Sequence, residues 1–344
     1  MIINMPSTYP ARPINGVMIS GFVAPRLEYS VYPAALLGKL KEMNYRIDVD
    51  AEKGHKEPPV LIREAFRLLE MRKKIFEMLW DIKWDLFCLV ITSTDRLHHF
   101  FWSSLENEKD PYYSSLCRYY EAVDNLIGDI YERTPDKSSF FMLSDHGFDR
   151  LEYHVYLNSW LEKEGYLTFR DNVDRSLENI SPETRAFCLD PARIYINIAG
   201  QQGGELRING GQHQELLSEL SLKLRNMVIE IPEIAGRRAR TARPVASVRI
   251  GKDIYKGPYL DRAPDLISEP AAGFDLKGMT GKNTIVEKPP FTGKHTRKGA
   301  FFYVGWKIKK SPNSIEIIDC MPTILKTMGI ALPDSIDGKP VQKD

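Results

Sequence analysis

The 344-residue sequence is poor in cysteine, has no long apolar run and shows no surplus of charge of either sign. Each lack closes off a class of protein. The four cysteines, Cys88, Cys117, Cys188 and Cys320, are far apart in apolar surroundings and form no CxxC pair. A disulfide scaffold and a thiolate zinc site are therefore disfavoured, and a reduced, cytoplasmic setting is expected. The longest strongly apolar stretch, Leu86 to Ile91, is far too short to span a bilayer. The opening MIINMPSTYPARP has no basic segment leading into an apolar one, so no signal peptide is expected. Lys and Arg number 47 against 46 Asp and Glu, which gives no electrostatic reason to expect nucleic acid or an anionic membrane as partner. There is no internal repeat, heptad array or low-complexity tract.

What is present is an ordinary globular composition, 43% hydrophobic and 27% charged, in a chain long enough for one large α/β domain or two modest ones. Residues 6–26, rich in proline and glycine, read as extended chain and loops. A short helix is expected over 32–43, ended by Asn44, and a strand over the alternating 45–50, YRIDVD. Apolar residues recurring at helical spacing predict a long helix from Pro59 to Trp80 and another over 111–132. The continuous apolar runs 85–91 and 139–143 predict strands buried on both faces, as in a parallel sheet. This alternation argues for an α/β fold, an open, mostly parallel sheet flanked by helices. Residues 151–290 are less regular, with strands near 193–198 and 245–250 and a helix near 211–227. They read as an insertion capping the substrate side. A strand over 300–306 and a helix over 315–329 complete the chain. The expected organisation is a single domain, 1–344, with its core in 1–150 and 291–344.

Three short motifs offer chemistry: Thr94-Asp95-Arg96-Leu97-His98-His99, Ser144-Asp145-His146-Gly147-Phe148 and Gly293-Lys294-His295-Thr296-Arg297. Together they supply two carboxylates and several imidazoles, the donor mixture of a two-metal site that handles phosphate esters. Asp95 and His99 are four apart at the start of a helical stretch, one above the other on one face, where a single cation can bridge them. A helix-capping Asp and a packed His fit the same spacing. His98 points away. Asp145 and His146 follow an apolar strand directly, and both meet one site where the strand gives way to a turn at Gly147, though a plain strand-ending turn has the same composition. A lone loop histidine such as His295 is usually a surface residue, and only the company of the other motifs raises it. His55, His154 and His213 have no ligand spacing. Of the neighbouring cations, Lys294 is the candidate for a substrate contact.

These ordered motifs, an STD-x-x-x-H segment, then SDHG, then G-x-H, resemble the alkaline phosphatase superfamily, in particular its type I phosphodiesterase/nucleotide pyrophosphatase branch. The closing IIDCMPTILKTMGIALPDSIDGKPV is similar to that superfamily's terminal segment, so the resemblance runs from about residue 10 to residue 340. It implies an alkaline-phosphatase-like fold and two divalent metal ions, zinc fitting best and manganese or iron acceptable. Asp95, His99 and His295 would hold one metal, and Asp145 and His146 the second. The implied substrate is a phosphate ester or nucleotide, attacked by a Thr or Ser nucleophile. The resemblance also implies an early strand bearing an aspartate and that nucleophile. Neither is recognisable here: Ser7 and Thr8 lie in a proline-rich segment, and Thr92, Ser93 and Thr94 read as strand end and helix start. On this reading the chain looks N-terminally truncated, its first strand missing, its second metal site incomplete and its catalytic nucleophile unknown. The alternative is a non-catalytic or split-enzyme fragment that binds metal or a partner chain supplying the missing part. A phosphoglycerate-mutase-like enzyme ranks lower, because its serine cannot be placed. A sulfatase is rejected, because Cys320-Met321-Pro322 lacks the arginine its modified residue requires.

Overall fold

Short apolar stretches of the first ninety residues pair into one sheet. Its strands are β1 (Ile2–Met5), β2 (Met18–Ser20), β3 (Val31–Tyr32) and β4 (Cys88–Leu89), in the order β3-β2-β1-β4. β1 runs parallel to both neighbours, with Ile3 opposite Ile19 on one side and Leu89 on the other. The computed structural model describes residues 1–50, 57–197, 210–233, 239–309 and 315–344, and His55 lies outside them. The chain divides into two compact units, Met1–Phe148 with His295–Asp344, and Asp149–Lys294.

In the first unit, α1 (Leu36–Glu42) ends at Asn44, which takes the left-handed conformation (φ 51°) that asparagine tolerates well. α2 (Pro58–Trp80) opens on two prolines, whose missing N–H groups cost nothing in a first turn. One side of α2 packs with Ile3, Ile19 and Leu40 against the sheet. Another packs with α3 (Ser93–Leu105) and α4 (Tyr113–Arg133) around Leu97, Phe101, Leu116 and Tyr119. Each fully buried side chain of this kind contributes on the order of 1.5–3 kcal/mol. Leu97 and Phe101 thus hold in place the helix that carries Asp95 and His99.

An early strand, expected to be missing, is present as β1, paired on both edges by Ile2 and Ile3. Two further expectations for this unit are corrected. Residues 45–50 are not a strand. The buried Arg72 of α2 donates to the carbonyls of Arg46 (3.2 Å) and Ile47 (2.6 Å), with its guanidinium over the Tyr45 ring, so a side chain takes the acceptors a neighbouring strand would have used. The second concerns burial. Of the run 85–91 only Cys88–Leu89 is laddered, and Leu86 is 40% exposed. β5 (Phe141–Leu143) leaves Leu143 39% exposed. The reason is topological: among the described residues β4 is bonded only to β1, and β5 only to a returning strand, so each has one open edge. Their apolar patterns suit strands with neighbours on both sides.

β6 (Gly147–Tyr156) leads into the second unit, which is more regular than its sequence suggests. α5 (Leu157–Lys163) precedes the hairpin of β7 (Ala186–Leu189) and β8 (Arg193–Ile196). Next come α6 (Gly210–Arg225), β9 (Ile229–Ile231), β10 (Arg240–Ala242), β11 (Val245–Ile250), the one-turn α7 (Gly251–Ile254) and β12 (Leu266–Pro270). β13 (Gly273–Lys277), β14 (Val286–Glu287) and β15 (Gly293–Thr296) follow. One sheet has the order β11-β12-β8-β7 and another β13-β6-β14. They share a core with α5 and α6 that includes Leu161, Tyr166, Ile194, Leu220 and Leu266. The buried Asn158 amide bonds the carbonyls of Cys188 and Gly278 and accepts from the Cys188 N–H, tying three segments together.

The chain then returns to the first unit as β16 (Phe302–Val304), antiparallel to β5, and α8 (Cys320–Thr327), which stops at Gly329 (φ 72°). The whole is a mixed α/β fold of the alkaline-phosphatase-like kind; among the described residues its strands are divided among small sheets, two mixed and three antiparallel, rather than gathered in one mostly parallel sheet, because several neighbouring strands, such as β7 and β8, return by short connections. The four cysteines are unpaired. Among the described residues no helix is long and apolar enough to cross a membrane.

At the start of β6, Gly147 passes so close to the return segment that an added Cβ would lie 1.9 Å from the carbonyl oxygen of Lys298. The glycine is there for close approach, not for an unusual φ. Gly147→Ala is expected to push the two segments apart and to cost at least about 1–3 kcal/mol, an overpacking penalty read by urea unfolding. An unchanged midpoint would show that the contact yields freely.

Candidate metal centre

The residues of the centre come from the first two turns of a helix, the turn between two strands and a short strand. β4 gives way to α3 at Thr92, and the first turn of that helix carries Asp95, a placement the helix dipole favours. Thr92, at the cap position, makes no side-chain capping bond, and neither does Asp95 act as the cap. One turn on, His99 lies on the same face. β5 ends at Ser144, whose N–H donates to the Phe301 carbonyl (3.1 Å) and whose hydroxyl accepts from the Phe301 N–H (3.0 Å). Those bonds fix the turn that presents Asp145 and His146. The close approach at Gly147 brings the return segment, and with it His295, alongside.

Three imidazoles turn the same nitrogen toward one oxygen. Nε2 of His295 lies 2.8 Å from Oδ2 of Asp95, Nε2 of His99 3.6 Å and Nε2 of His146 3.8 Å. The Nε2 atoms of His99 and His295 are 2.9 Å apart. The rings of His146 and His295 stack with centroids 3.7 Å apart. Burial pushes the Asp95 carboxyl upward, but the hydrogen bond from His295 and the nearby His99, His295 and Arg96 outweigh it and hold the group below its ordinary value. It is therefore an ionised donor at neutral pH.

Asp95, His99 and His295 offer one oxygen and two nitrogens within 4.8 Å of one another. A tetrahedral cation with bonds of about 2.0–2.2 Å has ligand–ligand edges of about 3.3–3.6 Å. The observed edges of 2.8, 2.9 and 3.6 Å are close to that figure, so the donor set fits a divalent metal. His146 adjoins this group. Asp145 touches His146 (3.5 Å) from the rim, with its side chain 82% exposed.

Other residues singled out by sequence are placed differently. His98 pairs with the Tyr120 hydroxyl (2.7 Å) and stacks on that ring, away from the cluster. Lys294 is buried, its ammonium bonded to the Phe274 carbonyl (2.5 Å) within the second unit, and burial lowers its pKa despite Asp275 and Asp149. An ammonium held in this way is not presented to a substrate. His213 is bound to Asp265, and His154 lies near Asp275. Three of the candidate hydroxyls make bonds of their own: Thr8 donates to the Met5 carbonyl, Thr94 donates to the Ile91 carbonyl, and Thr92 accepts from Asn4. Sequence reasoning missed Phe148. Its ring packs within 4.8–5.4 Å of His98, His99, His146 and His295, a shared apolar wall that limits where the imidazoles can turn.

The fold and this cluster define a mixed α/β protein with a histidine–aspartate group that could hold a metal ion. The chain belongs to the type I phosphodiesterase / nucleotide pyrophosphatase family, whose model matches residues 6–298, and it is a hydrolase of that class. No curated protein and no solved structure matches it.

Burial lowers the pKa of His98 to about 4, against the smaller upward pull of Asp95. In the unfolded chain the same group titrates near its ordinary 6.5. Between these values the unfolded state holds a proton that the folded state lacks, so this contribution to stability is complete above about pH 6.5 and is lost as pH falls toward 4. Urea unfolding of the metal-free chain across that window is expected to show the loss. His98→Gln should flatten the slope by up to one proton, and an identical slope would refute the assignment.

Proposed function

We propose that this chain is a metal-dependent phosphoric ester hydrolase of the phosphodiesterase or nucleotide pyrophosphatase type, acting on small phosphate esters or nucleotides in a reducing, cytoplasmic setting. The observation that carries this reading is the convergence of three imidazole nitrogens on Oδ2 of Asp95. Asp95, His99 and His295 would hold one divalent cation, and His146 with Asp145 the second. Mixed imidazole and carboxylate donors suit zinc best, with manganese acceptable. Cations held there supply positive charge that offsets the charge gathering on phosphoryl oxygens as the P–O bond breaks. The chain's own part is to present imidazole Nε2 atoms and an ionised carboxylate in a fixed arrangement, with Phe148 packed against one side of the rings.

A second reading is favoured by the open edges of β4 and β5. The family's catalytic aspartate and hydroxyl nucleophile sit on an early strand, and a partner chain would bring them on a strand added at one of those edges.

Calorimetric titration of the metal-stripped chain with zinc tests the centre. Asp95→Asn and His295→Ala are each expected to weaken the first binding event by about a hundredfold or more, since a direct ligand is lost. A wild-type chain that binds no metal would defeat the proposal. Hydrolysis of bis-p-nitrophenyl phosphate, with zinc or manganese added, separates the two readings. Turnover by the isolated chain that both substitutions abolish supports the first. Metal binding without turnover supports the second.

A further inference from the structure

We propose that Asp48 and Arg96 are positioning residues of the metal centre. Asp48 anchors the Arg96 guanidinium, and Arg96 holds Oδ1 of Asp95 so that Oδ2 alone faces the imidazoles. The inference rests on reading the Asp95 cluster as a metal site.

Arg96 stands against local preference. It lies in the first turn of α3, where the helix dipole disfavours a cation. Its three nitrogens are all used: Nε (3.1 Å) and Nη2 (2.6 Å) donate to Oδ2 of Asp48, and Nη1 (3.3 Å) donates to Oδ1 of Asp95. The Phe22 ring lies 4.4 Å from the guanidinium carbon and covers its face, which leaves the planar fork little freedom to rotate. The side chains of Arg96, Asp48 and Asp95 are only 20%, 14% and 25% exposed, so water screens these bonds incompletely.

Asp48 is itself fixed. It follows directly the segment whose carbonyls, at Arg46 and Ile47, are bound by Arg72 of α2. A continuous set of contacts therefore runs from the buried face of α2, through residues 46–48 and the Arg96 fork, to the carboxylate of the centre. Its effect on that carboxylate is geometric. With Oδ1 occupied by Nη1, the group offers a single oxygen to the histidine side, the one 2.8 Å from His295. Lysine cannot reproduce this, because an ammonium is a point charge without a fork.

For Arg96→Gln, positioning and long-range charge predict opposite signs. Removing a cation beside a metal site strengthens metal binding if charge alone matters, and weakens it if the cation orients a ligand. The test is zinc affinity by calorimetry and the visible absorption of the cobalt(II)-loaded full chain, for Arg96→Gln, Arg96→Lys and Asp48→Asn. Each variant is expected to bind zinc about 10–100-fold more weakly, the range for groups that orient metal ligands. Each should also show an altered cobalt spectrum as Asp95 changes its presentation. Arg96→Lys keeps the charge opposite Asp48 and so keeps the test valid should Arg96→Gln fold poorly. Zinc binding by Arg96→Gln as tight as or tighter than wild type, with an unchanged spectrum, overturns the proposal. A wild-type chain without metal affinity overturns both this inference and the reading beneath it. A chain that binds metal but does not hydrolyse ester leaves this test fully readable.

Discussion

The site depends on one carboxylate oxygen. Oδ2 of Asp95 collects the Nε2 atoms of three histidines drawn from three separate stretches of chain. Burial alone would raise the Asp95 carboxyl, but the hydrogen bond from His295 and the nearby His99, His295 and Arg96 more than offset it and hold the group below its ordinary value. Phe148, touching every ring, sets the spacing that the charge then exploits.

Much of this was legible in sequence. The four-residue spacing of Asp95 and His99, the SDHG turn after an apolar run and the lone GKH loop named all five ligand candidates, and the structure brings Asp95, His99, His146 and His295 together with Asp145 at the rim. The long helices were legible from apolar spacing, because their cores are continuous stripes. The misses have identifiable causes. YRIDVD alternates like a strand, yet an arginine from α2 captures its carbonyls, and no local pattern reveals a partner twenty-five residues away. For the same reason Asp48 and Arg96 were invisible as a pair. Lys294 stands next to His295 in sequence, and only the structure shows that its ammonium is buried and held by the Phe274 carbonyl. Gly147 looked like a turn residue, whereas its use is the close approach of Lys298.

The half-exposed apolar strands link fold to function. β4 leads directly into the helix that bears Asp95 and His99, and β5 directly into Asp145 and His146. The two elements that aim most of the ligands are thus the ones with unbonded edges. An open edge leaves a strand freer to shift, so whatever pairs with it also steadies the carboxylate and imidazoles at its end.

The ends of the second unit lie close together. The N–H of Leu151 bonds the carbonyl of Thr292 at 2.8 Å, just inside the residues that flank His146 and His295. What the centre requires of everything between is only that its two ends stay side by side. A change of length or sequence between those two ends need not move Asp95, His99, His146 or His295, so long as the Leu151–Thr292 bond is kept.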